Sequence, residues 1–222
     1  MTLRLYYHPF AAYCQKALIA LYEKGLPFEP EFIDLGDAGD RARLEAVWPM
    51  VKFPVLRDEA RGLTLGESSV IIEYLDELAP ERPLVPRDPV QALLARQWDR
   101  IFDNYVSNQL TKAVIDRIRP EDQRDPAGVA QAEETMMRAY DLLEAHVGEA
   151  GWFGGGDFGL ADCAAAPALF YSNTLAPLSG HPRLAAYFER LLARPSFARV
   201  VDEARPYRGL FPLPWPARYA SI

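Results

Sequence analysis

Two short stretches decide the fold: Lys52-Phe53-Pro54-Val55-Leu56 and, ten residues later, Gly66-Glu67-Ser68-Ser69. Proline has no amide hydrogen for a sheet ladder, so Pro54 is expected at the entry or edge of a strand. A cis Phe53–Pro54 bond would turn the backbone sharply there and leave the amide and carbonyl of Val55 available to a ligand. The second stretch predicts the start of a helix, whose unpaired amides attract a carboxylate. Together the two stretches predict a cradle for a small, zwitterionic, peptide-like molecule.

The hydrophobic pattern around these stretches predicts a thioredoxin-like domain. Residues 2–7 alternate in the manner of a half-buried strand. Helical spacing of apolar residues then predicts a helix over 13–24, with Gly25 placed to end it. The remaining predicted elements are a strand over 28–33, a helix over 40–47, a hairpin of 55–56 and 63–65, and a helix over 67–78. A parallel strand pair first and a hairpin last are typical of the thioredoxin-like α/β fold.

After residue 79 the pattern changes from mixed strands and helices to helices alone. The segment 80–88 contains Pro80, Pro83 and Pro86 and is predicted to be a linker. Beyond it, amphipathic patterns predict helices over 89–118, 126–148, 160–173, 182–193 and 196–204. We therefore predict a thioredoxin-like domain over 1–79 and an all-α helical domain over 89–222.

The composition is that of a globular protein and argues against several partners. The 222 residues carry a formal net charge of −7, whereas a nucleic-acid surface needs a basic patch. The sequence has no apolar run of about 18 residues, the length needed to cross a membrane. Because residues 1–7 enter a strand pattern directly, we expect no signal peptide. Cys14 and Cys163 fall in different predicted domains, so we expect neither a disulfide nor a metal site. We expect a cytoplasmic protein with no nucleic-acid or membrane partner.

The order of these features resembles one known family over nearly the whole chain. The first strand is followed by the loop His8-Pro9-Phe10-Ala11-Ala12-Tyr13-Cys14 and an apolar helix, then by the Phe53-Pro54 turn and the Glu67-Ser68 helix start. This order and spacing resemble the cytosolic glutathione S-transferase superfamily. The resemblance implies the glutathione transferase fold, glutathione as co-substrate, a small hydrophobic electrophile as second substrate, and a two-fold homodimer.

The resemblance also implies roles for the residues of the two opening stretches. In that family the proline is cis, the residue after it pairs its backbone with the cysteinyl unit of glutathione, and a Glu-Ser pair holds the γ-glutamyl end. In this sequence those positions are occupied by Phe53-Pro54, Val55, Glu67 and Ser68. Lys52 is a candidate partner for the glycyl carboxylate; the alternative is an exposed lysine without a function.

The sequence leaves open which group activates the thiol. A free thiol has a pKa of about 8.5, so activation needs a donor aimed at sulfur and the positive end of a helix. Many bacterial members carry a serine near position 11, but Ala11 and Ala12 have no polar side-chain atom. The candidates are Tyr7 at the strand end, Tyr13 and Cys14 at the helix start, and the backbone amides of residues 11–13. The alternatives are a core aromatic at Tyr7, a wall of the acceptor pocket at Tyr13, and an inert, buried thiol at Cys14.

Three functions follow from this interpretation. In the first, a glutathione transferase transfers glutathione to alkyl or aryl electrophiles and so serves in detoxification. In the second, a thiol-disulfide or deglutathionylating enzyme uses Cys14 as its nucleophile. In the third, the same fold serves as a non-catalytic binding protein. The candidates for an electrophile pocket are Phe10, Trp98, Phe102 and Tyr105, although aromatic residues at helical spacing are also typical of a core.

Overall fold

The computed structural model of the chain describes residues 2–148, 151–154, 156–216 and 219. The chain divides into two compact units, Met1–Leu84 and Val85–Ile222. The first unit mixes strands and helices, and the described elements of the second are helical. The predicted fold class, a thioredoxin-like α/β domain followed by an all-α domain, is confirmed. The division falls inside 80–88, whose limits as a linker stay a prediction.

The first unit is built on a four-stranded mixed sheet. Its elements are β1 (Leu3–Tyr7), α1 (Ala12–Lys24), β2 (Phe28–Phe32), α2 (Ala38–Val47), β3 (Val55–Asp58), β4 (Leu63–Leu65) and α3 (Ser68–Leu78). The strands lie in the order β2-β1-β3-β4, with β1 and β2 parallel and the other two pairs antiparallel. The chain thus crosses over through α1 and later forms the predicted hairpin.

Local sequence signals set where the helices of this unit begin and end. Gly25 ends α1 in the left-handed conformation, at φ 62°, which glycine adopts without the clash of a Cβ. Asp37 caps α2 by accepting a hydrogen bond from the amide of Asp40 at 2.9 Å. Trp48 leaves the helical conformation directly after α2, in line with the bias against helical backbone before a proline.

Alternation along β1 sends its side chains to the two faces of the sheet. Tyr6 packs with Leu44 of α2 and Val55 of β3 in a buried cluster. Leu5 is buried on the opposite face. Tyr7 has the same parity as Leu5, so it lies on that second face and not in the cluster around Tyr6.

The second unit contains six α-helices among its described residues. They are α4 (Pro89–Ile101), α5 (Asn108–Ile118), α6 (Pro126–His146), α7 (Leu160–Ser172), α8 (Pro182–Leu192) and α9 (Pro195–Ala204). The sequence predicts one continuous α-helix over 89–118. The structure differs there, because a π-helical turn at Phe102–Ser107 separates α4 from α5. Such widened turns occur frequently at functional sites.

Helix α7 is buried along its whole length. Asp162 in its first turn accepts hydrogen bonds from the amides of Gly159 at 2.9 Å and Phe153 at 3.0 Å, and from the hydroxyl of Tyr187 at 2.6 Å. Burial raises the pKa of Asp162 to about 6, although these three donors oppose the shift. The carboxylate therefore closes a helix start that Gly159 cannot cap with a side chain, and its role is structural.

Candidate functional site

The strand register gathers the predicted ligand residues at one end of the sheet. Val55, the first residue of β3, lies opposite Tyr6 of β1. Leu56 lies opposite Leu65 of β4, so Val55 and Gly66 stand at the same end of the hairpin. Since β1 runs antiparallel to β3, the loop after β1 starts at this end as well. Three segments therefore meet there: the loop after β1, the turn before β3 and the turn between β4 and α3.

The turn before β3 has the geometry that the sequence predicts. The Phe53–Pro54 peptide bond is cis. The ring of His8 stacks on that of Phe53, with centroids 6.4 Å apart and an interplanar angle of 26°. Pro54 and Val55 are buried, whereas Lys52 is exposed. The turn before β3 and the loop after β1 are thus in direct contact.

The turn between β4 and α3 contains a strained residue. Glu67 has φ 62° and ψ 112°, a conformation that residues with a Cβ rarely adopt and that clusters at functional sites. Ser68 follows as the first residue of α3 and is 5 % exposed. No side chain caps this helix start, and its first turn has no acidic residue. The positive end of the helix dipole therefore favours an anion here.

The indole of Trp48 packs against the turn between β4 and α3. This contact was not predicted from the sequence. A Cβ built on Gly66 would lie 2.5 Å from Cζ2 and 2.7 Å from Cε2 of the Trp48 indole. The indole also packs against the buried cluster around Tyr6. The available signal was the glycine before Glu67, because glycine allows another group to approach the backbone closely.

His8 organises the loop after β1. Its Nδ1 accepts a hydrogen bond from the amide of Phe10 at 3.1 Å, and its carbonyl accepts one from the amide of Ala11 at 3.1 Å. An Nδ1 that accepts a hydrogen bond belongs to a neutral imidazole whose proton is on Nε2. Burial lowers the pKa of His8, which also favours the neutral ring. A lone histidine in a loop has no pattern in the sequence from which this role could be predicted.

Helix α1 begins beside this loop without a side-chain cap. Ala11 occupies the N-cap position, and the first turn of α1 contains no acidic residue. The positive end of the helix dipole is therefore not offset by a carboxylate of its own first turn. This is the arrangement that stabilisation of an anion by a helix start requires.

The three side chains predicted as candidates for thiol chemistry differ in exposure. Tyr7 at the end of β1 and Tyr13 in the first turn of α1 are half-buried. Cys14 is fully buried. Burial raises the pKa of the Cys14 thiol well above its usual range, although a hydrogen bond with the backbone of His8 opposes the shift. A thiolate at Cys14 is therefore disfavoured at neutral pH.

Two polar residues of α1 are buried behind the site. The Nζ of Lys16 donates to Oγ of Ser69 at 2.8 Å, and the Nε2 of Gln15 donates to the carbonyl of Pro9 at 2.9 Å. These bonds join α1 to the first turn of α3 and to the loop after β1. Helical periodicity gave no signal for them, because α1 is buried on all sides from Cys14 to Leu21 and has no simple apolar stripe.

The four aromatic residues predicted to line an electrophile pocket lie in different surroundings. Phe10 is half-buried in the loop after β1. Trp98 and Phe102 are buried in the second unit, with ring centroids 5.2 Å and 5.1 Å from that of Phe153. Tyr105, in the π-helical turn, is 51 % exposed. Burial favours a packing role for Trp98 and Phe102, whereas Phe10 and Tyr105 keep accessible surface.

Metal-binding clusters, membrane-spanning helices and disulfides are absent from the part of the chain that the structure describes. Among the described residues, no group of three or more His, Cys, Asp or Glu side chains is placed to hold a metal ion. None of the helices described above is long and apolar enough to cross a membrane. Cys14 and Cys163 are both buried thiols and form no disulfide.

Comparison with known proteins identifies both units. A family model described as "Glutathione S-transferase, N-terminal domain" matches residues 5–83, and one described as "Glutathione S-transferase, C-terminal domain" matches residues 126–190. The stringent starvation protein A homolog of Haemophilus ducreyi is 30% identical over 201 residues, which cover 87% of this chain and 87% of that protein. The chain belongs to the glutathione S-transferase superfamily. The predicted family is thus confirmed.

Members of the superfamily named as transferases are similar over the same length. Glutathione S-transferase GstB of Escherichia coli K12 is 28% identical over 191 residues, 84% of this chain and 91% of the relative. A crystal structure of a glutathione S-transferase from Methylobacterium radiotolerans, in complex with glutathione sulfonate, is 32% identical with a TM-score of 0.81. The match covers 90% of this chain and 95% of that one. The likeness therefore includes both units.

Proposed function

We propose that this chain is a glutathione transferase, which binds glutathione in its first unit and presents the thiolate to a small hydrophobic electrophile. The observation that carries the proposal is the meeting of two features at one end of the sheet. These are the cis Phe53–Pro54 turn at the entry of β3 and the Glu67-Ser68 start of α3. The similar transferase from Methylobacterium radiotolerans, solved with glutathione sulfonate, supports the choice of ligand.

The tripeptide is held by the segments that meet at this end. The backbone of Val55 pairs with the cysteinyl unit, as an added strand pairs with a sheet edge. Ser68 and the start of α3 receive the γ-glutamyl carboxylate at the positive end of the helix. The carboxylate of Glu67 receives the amino group through a charge-assisted hydrogen bond. The exposed Lys52 pairs with the glycyl carboxylate.

The start of α1 alone does not activate the thiol fully. Lowering its pKa from about 8.5 to about 7 requires about 2 kcal/mol of preferential stabilisation of the thiolate. At a solvent-exposed site, a helix dipole typically stabilises a nearby charge by about 0.3–1 kcal/mol. A hydrogen bond to a charged group contributes about 1.5–3 kcal/mol. A hydrogen-bond donor to the sulfur, such as a hydroxyl, is therefore needed in addition to the helix dipole.

Tyr7 supplies that hydroxyl in this proposal. It is the last residue of β1, is half-buried and stands at the end of the sheet where the three segments meet. Tyr13, in the first turn of α1, is the alternative donor. The full burial of Cys14 weighs against it as a donor and as the nucleophile of a thiol-disulfide enzyme.

The activated thiolate attacks the electrophile and forms a bond between sulfur and carbon. A leaving group departs from an alkyl or aryl carbon, or a proton is added after attack on an activated double bond. Phe10, in the loop after β1, offers the electrophile an apolar contact beside the thiol. The product is more polar than the electrophile, which suits a role in detoxification.

The test combines calorimetry of glutathione binding with the ultraviolet absorbance of the bound thiolate across pH. Tyr7→Phe should retain binding and raise the thiol pKa by at least about one unit, equivalent to about 1.4 kcal/mol. Tyr6→Phe is the matched control, because the neighbouring hydroxyl belongs to the buried cluster on the other face. An unchanged thiol pKa in Tyr7→Phe would transfer the role to Tyr13 or to backbone amides. The absence of binding at millimolar glutathione would refute the proposed function.

A second candidate function is a non-catalytic binding protein on the same fold. It is favoured by Ala11 and Ala12, which offer no hydroxyl at the start of α1. It is also favoured by the similarity to a stringent starvation protein A homolog, whose name is not that of a transferase. The same titration separates the two functions, because binding without a thiolate signal up to pH 8 would support this candidate.

The assembly and location proposed for the chain are a homodimer in the reducing cytoplasm. Helix α4 exposes Val90 by 61%, Leu93 by 65% and Leu94 by 40%. Neighbouring exposed apolar side chains favour burial against a second copy. Light scattering should therefore give twice the mass of the chain, and Leu93→Glu should give a monomer. A monomeric parent at micromolar concentration would contradict the proposed assembly.

A further inference from the structure

His8 joins the loop after β1 to the cis turn before β3, and the reaction proposed above gives it no role. Its Nδ1 accepts a hydrogen bond from the amide of Phe10 at 3.1 Å. Its ring stacks on that of Phe53, with centroids 6.4 Å apart, and its centroid lies 5.1 Å from that of Phe32 in β2. One side chain therefore links Phe10, the proposed electrophile contact, to the turn that precedes Val55.

The hydrogen bond from Phe10 requires the neutral ring of His8. An imidazolium carries a proton on both nitrogens and has no acceptor. Protonation would therefore replace the hydrogen bond by two donors that face each other, the N–H at Nδ1 and the amide N–H of Phe10. The rings of Phe32 and Phe53, which pack against His8, carry no charge. The carboxylate of Asp34, which follows β2, favours the charged ring, but burial outweighs it and keeps the pKa of His8 below its usual value of 6.5.

We propose that His8 is a positioning residue for the electrophile, an inference that rests on the proposed function. The neutral ring holds the amide of Phe10 and so fixes this residue beside the sulfur, and protonation of the ring releases it. His8 acts through Phe10 and touches neither the sulfur nor the electrophile. Its protonation therefore weakens binding of the group attached to sulfur, and it leaves binding of the tripeptide by Val55, Glu67 and Ser68 unchanged.

The test compares the affinities of two thioethers by calorimetry. One is S-methylglutathione, and the other is S-(2,4-dinitrophenyl)glutathione, the product formed when glutathione sulfur displaces chloride from 1-chloro-2,4-dinitrobenzene. Neither has a thiol that titrates, so the ratio of their affinities reports the contact with the aryl group. NMR of the ring protons locates the midpoint at which His8 titrates. From one pH unit above this midpoint to one unit below it, the ratio should fall about fivefold in the parent, as expected for one lost hydrogen bond.

Substitutions of His8 separate the hydrogen bond from the titration. His8→Asn places an amide oxygen near the position of Nδ1 and does not titrate, so its ratio should equal that of the neutral parent at both pH values. His8→Gln has its amide group one carbon further out, and its ratio should be about fivefold lower at both. Both variants lose the stack on Phe53, so their affinities for S-methylglutathione should be equal. His146→Asn removes an exposed imidazole of the second unit and is the matched control, which should titrate as the parent does.

The outcomes distinguish this inference from the proposed function. Equal ratios in His8→Asn and His8→Gln, or a parent ratio that stays constant as His8 titrates, would overturn the role of His8 and leave the proposed function standing. An aryl group that adds no affinity in the parent would have the same meaning. If either variant of His8 does not fold, the ratio in the parent across the midpoint decides the question. A parent that binds neither thioether would overturn the proposed function and the role of His8 together.

Discussion

The contact between Gly66 and Trp48 gives a quantitative prediction for the turn that leads into α3. In Gly66→Ala the new methyl carbon would lie 2.5 Å, 2.7 Å and 3.1 Å from three atoms of the indole. Carbon atoms in contact are ordinarily about 3.5–4.0 Å apart, so the ring or the turn must move by about 1 Å. Overpacking of this kind costs about 1–3 kcal/mol. We expect Gly66→Ala to lower the free energy of unfolding by about 2 kcal/mol.

The indole accounts for the whole of this cost. The φ of Gly66 lies outside the left-handed region, so alanine can adopt the same backbone. Trp48→Ala alone destabilises the protein, because the indole also packs against the cluster around Tyr6. In the Trp48→Ala background, however, Gly66→Ala should be neutral or stabilise by about 0.4–1 kcal/mol, since alanine reduces the entropy of the unfolded chain.

Urea denaturation of the parent, the two single variants and the double variant measures this coupling. Glutathione affinity in the same four proteins should fall where the turn is displaced, because the proposed ligand residues Glu67 and Ser68 directly follow Gly66 in the chain. Gly180→Ala is the control, since nothing lies within 4 Å of its built Cβ, and it should change stability by less than about 0.5 kcal/mol. An equal cost of Gly66→Ala in both backgrounds would refute the reasoning, because the indole would then not be its source.

Three further predictions concern titratable side chains. His8→Asn keeps a hydrogen-bond acceptor for the amide of Phe10 and removes the titratable imidazole. Because burial lowers the pKa of His8 in the folded protein, the unfolded chain binds more protons between that value and about 6.5, so the parent loses stability as pH falls through this window. Urea titrations at pH 7 and 5 should show a smaller loss for His8→Asn, and an equal loss would count against this origin. Cys14 should resist iodoacetamide in the folded protein and react in urea, as followed by peptide mass spectrometry; rapid labelling of the folded protein would restore the thiol-disulfide hypothesis. In thermal melts, Asp162→Asn should lower the free energy of unfolding by about 2 kcal/mol, because the side-chain NH2 of asparagine would face one of the three groups that donate to Asp162. Tyr187→Phe should lower it by about 1 kcal/mol. An Asp162→Asn variant as stable as the parent would contradict the assigned hydrogen bonds.

The first unit could be predicted from sequence because its signals are local. Alternation marked β1, glycine marked the end of α1, and a proline directly before a short strand marked the turn before β3. Each signal concerns residues a few positions apart, where backbone sterics decide the conformation. The candidate ligand residues Pro54 and Glu67 were found for the same reason, since both sit at the start of an element.

The contacts between distant segments could not be predicted in this way. Lys16 and Ser69 are 53 positions apart, and hydrophobic periodicity indicates which face is buried without indicating which polar atoms meet there. Trp48 directly follows the helix predicted over 40–47, but no pattern in the sequence indicates that it neighbours Gly66. Such pairings depend on the packing of whole elements, which only the structure supplies.

The π-helical turn at Phe102–Ser107 lets this helical segment contain about one residue more than a regular α-helix with the same buried face. Buried residues recur there every fourth position, at Trp98, Phe102, Val106 and Leu110. In an α-helix each residue advances by about 100°, so each step of four residues overshoots a full turn by about 40°. The wider turn absorbs this excess. Removal of one residue from this turn would leave eleven steps of about 100° between Trp98 and Leu110, about 20° beyond three full turns, which an ordinary α-helix accommodates in register. A one-residue gap in an alignment with a relative therefore belongs in 102–107.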